Sequence, residues 1–185
     1  MSEPMSEQQN MTGNDGAGQG GGGQGGAGRD GAAPGGAAPS LITGTQYLKS
    51  SSIASVGAPE AFYNLPPRPH IGLRLDVNAR QLSEDQPNFE VSIALQGIGY
   101  RQAPTPDQPE PEMLYKVEMI YAGLFALQNV RQDMIEALLL IEAPRQLFPS
   151  ARHVLLSLIR EAGFPVANIQ PVDFHALLQN RRGQS

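Results

Sequence analysis

The sequence predicts an α+β fold, in which a four-stranded antiparallel sheet is covered by helices on one face. Two observations carry this prediction. Apolar residues alternate with polar ones through the first part of the folded region, and they recur at spacings of three and four through the last part. Strands that cluster ahead of clustered helices are typical of an antiparallel sheet, not of a parallel sheet with alternating helices. The helices can cover only one face, so the other needs water or a partner.

Residues 1–40 are expected to form a disordered, glycine-rich N-terminal tail. They hold 13 of the 21 glycines and no Val, Ile, Leu, Phe, Tyr or Trp. Such a segment has nothing with which to build a core. Residues 41–182 then form one compact domain, a normal size for a fold stabilised without disulfides or metal.

Four strands are expected within this domain. Serine and threonine interrupt the apolar positions of residues 41–53, which favours an edge strand, and prolines make residues 57–70 a connection. The next two strands alternate clearly, and the polar segment Ser83–Pro87 joins them as antiparallel neighbours. Their apolar positions are Ile71, Leu73, Leu75 and Val77, then Phe89, Val91, Ile93 and Leu95.

A stiff acidic loop with four prolines, residues 103–112, precedes the last strand. Tyr115, Val117, Met119 and Tyr121 face one way in that strand. Its far end loses the alternation, because it is apolar on both faces at Ile120, Leu124 and Phe125.

Helices follow. Pro144 and Pro149 are expected to separate two of them, and Gly163 should end the second. Asp173 is expected to cap a last short helix through Leu178. The apolar positions that carry the helical spacing are Met134, Ile135, Leu138 and Leu139, then Val154, Leu155, Leu158, Ile159 and Ala162.

Composition excludes several classes of protein. The formal charge is −5, with 13 Lys and Arg against 18 Asp and Glu, and there is no cysteine. A thiolate metal site, a disulfide scaffold and a cysteine nucleophile are therefore excluded, and nucleic acid is an unfavoured partner. No apolar run is long enough for membrane insertion, and the N-terminal residues do not resemble a secretory signal, so we expect a cytoplasmic protein.

Catalytic chemistry finds little support. His70, His153 and His175 are too far apart in sequence for a helical metal pair. A G-x-G-x-x-G match beginning at Gly18 lies in the glycine-rich tail without a flanking strand or helix. Glu110 and Glu112, the conceivable acid/base pair, lie in the solvated proline loop. We expect no enzyme activity, no cofactor and no metal site.

Apolar residues in exposed contexts are the more informative signal. Phe62, Tyr63 and Leu65 lie in a proline-stiffened connection, and Leu124 and Phe125 lie where a strand is apolar on both faces. Loop anchoring together with a subunit interface explains these residues as well as ligand binding does. Both interpretations remain open at this point.

Three segments near the C-terminus carry a resemblance to a known family. They are Leu147-Phe148-Pro149-Ser150-Ala151-Arg152, Gly163-Phe164-Pro165, and Gln170-Pro171-Val172-Asp173-Phe174. With the Tyr47-Leu48-Lys49 start, the Ala58-Pro59 turn and the Gly123-Leu124-Phe125 strand end, the chain resembles the SecB protein-export chaperones over roughly residues 45–182.

The resemblance implies a function without catalysis. SecB-like proteins are homotetramers, described as dimers of dimers, that bind unfolded preproteins in the bacterial cytoplasm without nucleotide. They keep their clients translocation-competent and deliver them to the SecA ATPase. The resemblance implies client-binding roles for Phe62, Tyr63, Leu65, Leu124 and Phe125. It implies a SecA contact at Glu118, and the stripe Val154, Leu155, Leu158 and Ile159 is the candidate tetramer interface, although packing on the protomer's own sheet would use the same residues.

The sequence also departs from the family. The first-strand positions that are acidic in typical relatives are matched here by Ser50 and Ala54. A weaker acidic face should reduce electrostatic steering of SecA and leave an apolar client groove intact. A SecB-like chaperone dedicated to another client, such as an antitoxin, is the first alternative. A small-ligand-binding α+β protein is the second.

Overall fold

The computed structural model describes residues 38–183. The predicted tail therefore lies outside the described residues as far as position 37, while Ser40 already belongs to the first strand.

Four antiparallel strands form one sheet. They are β1 (Ser40–Ser55), β2 (His70–Ser83), β3 (Gln86–Tyr100) and β4 (Met113–Gln128). Their order across the sheet is β1-β4-β3-β2, which places β1 and β2 at its two edges. The predicted α+β class, the four-stranded antiparallel sheet and the edge position of the first strand are confirmed.

The helical layer follows the sheet in sequence. It consists of α1 (Gln132–Ala137), a π-helical turn (Leu138–Glu142), α2 (Ala143–Glu161) and α3 (Phe174–Arg182). Alternate residues of the central strands face α2 and are almost completely buried. This core includes Val91, Ile93 and Leu95 of β3, Val117 and Met119 of β4, and Leu147, Leu155 and Ile159 of α2. We call this side of the sheet the inner face and the opposite side the outer face.

The expected break between two helices at Pro144 and Pro149 is wrong. The helical run continues from Gln132 to Glu161, and Pro144 lies directly after the π-helical turn, where the regular α-helical bonding pattern is already interrupted. Pro149 lies inside α2, but both it and Arg145, whose carbonyl it leaves unpaired, are on the exposed side. Burial of the opposite helix face outweighs the roughly 3 kcal/mol cost of an internal proline.

Two details of the strands also differ from expectation. Only Glu84 and Asp85 form the turn between β2 and β3, because Gln86 already pairs with Ser83. β4 does not lose its alternation and continues to Gln128. At its far end the outer-face position Leu124 is apolar as well as the inner-face position Phe125.

Both predicted helix signals in the C-terminal region are confirmed. Gly163 has φ of +88°, and the N–H groups of Gly163 and Phe164 bond back to the carbonyls of Arg160 and Ile159, which ends α2 in a left-handed glycine cap. The Asp173 side chain accepts hydrogen bonds from two N–H groups at the start of α3. That helix extends four residues beyond the predicted end.

Candidate functional site

A groove lined by seven apolar and six polar or charged side chains follows β2 where this edge strand meets the helical layer. Two adjoining cavities of about 400 and 260 Å³ form it, and both are lined by Val77, Leu140, Leu178 and Arg181. We call it the edge groove. Its other apolar residues are Leu75, Ala79, Leu139 and Leu177.

The backbone of β2 adds a second kind of contact to the edge groove. β2 pairs with β3 on one side, and within residues 38–183 no strand pairs with its other side. Arg181 donates a 2.9 Å hydrogen bond to the Val77 carbonyl and lies 3.7 Å from the Asp76 carboxylate. Unpaired strand edges accept extended peptides as additional strands. A segment lying along β2 would thus meet apolar side chains and, except at the Val77 carbonyl that Arg181 occupies, the backbone hydrogen-bonding groups of the strand edge.

Two predicted client-binding aromatics lie in the connection between β1 and β2, which we call the crossover segment (residues 56–69). The Phe62 ring stacks on Phe164 with centroids 4.9 Å apart. An added Cβ at Gly163 would lie 3.1 Å from the Phe62 ring, so glycine also makes room for this contact. Phe62 is 37% exposed and Tyr63 is 76% exposed. The contact between Phe62 and Phe164 therefore anchors the crossover segment, which exposes part of the Phe62 ring and most of the Tyr63 side chain.

Tyr115 of β4 packs against Phe164, the residue on which the Phe62 ring stacks. Its ring lies 4.8 Å from Phe164 and fits against Gly99, where a Cβ would be only 2.1 Å away. Within the described residues its buried hydroxyl has no hydrogen-bond partner. Burial raises the pKa of Tyr115 to about 12, so the phenol remains protonated at neutral pH and supplies no base.

Arg101 ties the crossover segment to the proline loop. Its guanidinium donates two hydrogen bonds, of 2.7 and 2.9 Å, to the Glu112 carboxylate and another to the Asn64 carbonyl. The hydrogen bonds from Arg101 lower the pKa of Glu112. Glu112 therefore serves as an anchor, and next to Asn64 the predicted client-binding residue Leu65 is half-buried against the core.

Leu124 and Phe125 lie elsewhere in the protomer. They are nine and ten residues along β4 from Tyr115, a separation of about 30 Å in an extended strand. Leu124 is 37% exposed on the outer face, whereas Phe125 is 2% exposed and packs in the core. The structure therefore brings Phe62, Tyr63 and Leu65 into one region and does not join Leu124 or Phe125 to it.

The outer face holds a buried carboxylate. Glu90 of β3 is 6% exposed. It accepts hydrogen bonds from the Tyr47 hydroxyl, from Lys49 at 3.0 Å and from Arg80 at 2.9 Å. These three donors lower the pKa of Glu90 to about 2. The cluster links β1, β2 and β3 across the outer face.

The predicted SecA contact, Glu118, also lies on the outer face. Its side chain is half-exposed and pairs with Lys116 at 2.8 Å. Ser50 and Ala54 are exposed on β1, opposite Ile120 and Lys116 of β4. Because cations pair with both Glu90 and Glu118, the outer face lacks the strongly acidic character of the family pattern.

The candidate tetramer-interface stripe on α2 divides into two pairs. Leu155 and Ile159 have no exposed surface and pack in the protomer's own core, which corrects their assignment to an interface. Val154 and Leu158 are half-buried at its margin. The sequence left two roles open for this stripe, a subunit interface and packing on the protomer's own sheet. Leu155 and Ile159 have the second role.

Residues 38–183 contain no group of three or more His, Asp or Glu side chains placed to hold a metal ion. Among the helices in that range, none combines the length and apolar character that crossing a membrane requires.

Sequence reasoning missed the edge groove, the Glu90 cluster and the Arg101 anchor. The groove depends on strand order and on α3 lying beside β2, and neither has a local signal. The Glu90 cluster had a partial local signal, because the short turn between β2 and β3 places Arg80 opposite Glu90.

An apolar groove beside an unpaired sheet edge is typical of proteins that bind extended polypeptide. Comparison with known proteins gives the family. The model of the family described as "Preprotein translocase subunit SecB" matches residues 35–185, and the chain belongs to the SecB family.

Similar proteins agree with this assignment. The protein-export protein SecB of Granulibacter bethesdensis is 38% identical over 144 residues, covering 78% of this chain and 83% of the relative. That of Hyphomonas neptunium is 41% identical over 136 residues, covering 74% and 75%. Among solved structures, the SecB-like chaperone of Mycobacterium tuberculosis in complex with a ChAD peptide from the HigA1 antitoxin matches with a TM-score of 0.56. It is 14% identical and covers 72% of this chain and 91% of its own, which supports the fold.

Proposed function

We propose that this SecB-family chaperone for protein export binds unfolded preproteins as extended segments in the edge groove. The observation that carries the proposal is the coincidence of apolar cavities and an unpaired strand edge along β2. An unfolded client exposes both apolar side chains and unpaired backbone groups, and the edge groove complements both. The exposed aromatics Phe62 and Tyr63 supply a second contact region.

The expected energies suit reversible binding. Each apolar client side chain contributes roughly 1.5–3 kcal/mol when fully buried, and ordering the client opposes much of this gain. Several contacts are therefore needed for stable binding, while each remains weak enough for release. No step requires nucleotide hydrolysis, so we propose that the protein acts as an ATP-independent holdase.

Suppression of client aggregation tests this proposal. A chemically unfolded client is diluted into buffer without ATP, with increasing amounts of the chaperone, and light scattering is recorded. Leu177→Asp places a charge in the edge groove on a half-buried position of α3. We expect about a tenfold loss of apparent affinity, the effect of losing one partly buried leucine contact.

Gln179→Asp is the matched control. It makes the same charge change on the same helix, at an exposed position that does not line the groove. Equal loss in both variants, or none in Leu177→Asp, would contradict client binding in the edge groove.

We further propose that the outer face contacts SecA through Glu118, with delivery taking place in the cytoplasm. Because Lys116 already pairs with Glu118, the electrostatic contribution should be modest. Glu118→Lys should weaken SecA binding about threefold at low salt, and Lys116→Glu should strengthen it by a similar factor. Client binding should not change in either variant, and unchanged SecA affinity in both would contradict this contact.

Self-association as a homotetramer, a dimer of dimers, is proposed on the strength of family membership. Val154 and Leu158 are the interface candidates that remain after Leu155 and Ile159 are placed in the core. Leu124 is a further candidate for client or subunit contact, since it is exposed and apolar. Light scattering should give four times the chain mass, and a monomer at working concentration would contradict the tetramer.

A chaperone dedicated to another client is the second candidate function. The cation-paired outer face and the SecB-like structural neighbour with a bound antitoxin peptide favour it. Titration with SecA separates the two, since a dedicated chaperone need not bind SecA at all.

A further inference from the structure

The crossover segment presents Tyr63 between two anchored neighbours. Within residues 38–183, Tyr63 is the most exposed of the large hydrophobic side chains. On one side of it, the Phe62 ring stacks on Phe164 with centroids 4.9 Å apart. On the other side, the Asn64 carbonyl accepts a hydrogen bond from Arg101. The backbone that carries the exposed ring is therefore held at both of its chain neighbours.

The bond to Asn64 is the later of these two anchors along the chain. Among the described residues, it is the one hydrogen bond outside the sheet that residues 64–69 make. The last backbone bond before it joins the Tyr63 N–H to the Glu60 carbonyl at 3.1 Å. Because the acceptor at Asn64 is a backbone carbonyl, a change of that side chain does not remove it. The contact therefore depends on its donor, Arg101.

The donor is itself fixed in place. Arg101 Nε and Nη2 donate to the two oxygens of the Glu112 carboxylate at 2.7 and 2.9 Å, and Nη1 donates to the Asn64 carbonyl. The backbone N–H of Arg101 also donates to the Glu112 carbonyl at 2.9 Å. A planar guanidinium can pair two donors with a carboxylate and still direct another elsewhere. Arg101 thus bridges two segments with one side chain.

The proline loop gives this bridge a firm base. Arg101 and Glu112 pair where the loop begins and ends. At its tip, the backbones of Thr105 and Gln108 exchange hydrogen bonds of 3.0 and 3.1 Å, with Pro106 between them. Proline fixes its own φ angle and restricts the residue before it. The loop is therefore closed at both ends and connected directly to β3 and β4.

Holding an exposed aromatic side chain in advance favours binding. A group that is already ordered loses less conformational freedom when a partner contacts it. An aromatic ring also supplies a large contact area with few rotatable bonds. If the Asn64 anchor were released, part of this advantage would be lost, because Tyr63 would have to be ordered by the client.

We propose that Arg101 is a positioning residue for client binding, which holds Tyr63 as a preformed contact by tying the crossover segment to the proline loop. The inference rests on the proposed function, because it assigns a client contact to Tyr63. Arg101 itself need not touch the client.

Label mobility tests the bridge without any client. The chain has no cysteine, so Tyr63→Cys can carry a single nitroxide, and electron paramagnetic resonance reports its motion. Arg101→Gln should shift this label to narrower, more mobile lines. Arg131→Gln is the matched control, because Arg131 also pairs with a carboxylate, that of Asp133, and makes no bond to the crossover segment. A label at Glu60→Cys, ahead of the Phe62 anchor, should not change.

Client affinity tests the consequence. An unfolded client is titrated with the full chain, and Arg101→Gln should weaken binding about threefold, as Tyr63→Ser does. If Arg101 acts through Tyr63, the double variant should also lose only about threefold, whereas independent effects would multiply to about ninefold. Glu112→Gln, which loosens Arg101 and leaves its charge, should lose affinity in the same direction and keeps the test valid if Arg101→Gln is unstable.

The other outcomes overturn the inference. An unchanged label at position 63 in both Arg101→Gln and Glu112→Gln would show that the bridge does not hold the segment. A more mobile label with unchanged client affinity would show that the fixed ring is unimportant, and losses that multiply would show that Arg101 does not act through Tyr63. No client binding by the unmodified protein would contradict the proposed function and the inference together, and a label that still responds to Arg101→Gln would identify this case.

Discussion

The edge groove and the outer face are built on the same sheet and differ in how their polar groups are paired. The edge groove combines apolar side chains with an unpaired strand edge. The outer face buries one carboxylate under three donors and pairs another with a lysine. If the proposed function holds, the first binds apolar segments of clients weakly, while the second already satisfies much of its own charge. On that proposal, client binding and partner recognition can be altered separately in one protomer.

The largest expected effect concerns the stability of the outer face. Glu90→Gln removes the charge that Lys49 and Arg80 share, and should lower the free energy of unfolding by about 2 kcal/mol at neutral pH. Glu118→Gln, whose pair is half-exposed, should cost less than about 0.5 kcal/mol. Urea denaturation followed by circular dichroism measures both. Equal losses would show that burial of Glu90 has no energetic consequence.

Acidification extends the same test. The folded pKa of Glu90, about 2, is below its ordinary value of 4.5. Its ionised form therefore stabilises the fold fully above the ordinary value, and this contribution is lost as pH falls towards the folded pKa. Between these two values the unmodified protein should lose more stability than Glu90→Gln, and parallel pH profiles would contradict the assignment.

A smaller effect is expected at the aromatic region. Tyr63 is largely exposed, so Tyr63→Ser should leave thermal stability unchanged and weaken client binding about threefold. Tyr63→Phe keeps the ring and should bind clients as the unmodified protein does. Titration of an unfolded client measures the affinity. An unchanged affinity in Tyr63→Ser would confine client binding to the edge groove.

Local patterns predicted most of the fold. Period-two alternation located β2 and β3, the glycine after α2 located a helix end, and Asp173 located a helix start. The continuity of the helices was missed, because at Pro144 it depends on the π-helical turn before α2 and at Pro149 on the exposed side of that helix.

The site was less predictable from sequence than the fold. Exposed aromatics such as Phe62 and Tyr63 could be found, because prolines around them indicate a loop. Phe125 and Leu124 are neighbours in sequence but face opposite sides of β4, and only the strand register shows which one is buried. The edge groove could not be predicted, because it depends on the strand order of the sheet.

Hydrogen–deuterium exchange with and without an unfolded client tests the central claim most directly, because it compares the two edges of the sheet in one experiment. Client binding in the edge groove should slow amide exchange in β2 (His70–Ser83) and leave β1 (Ser40–Ser55), the opposite edge, unchanged. Protection confined to β1 or to outer-face residues of β4 would contradict client binding along β2.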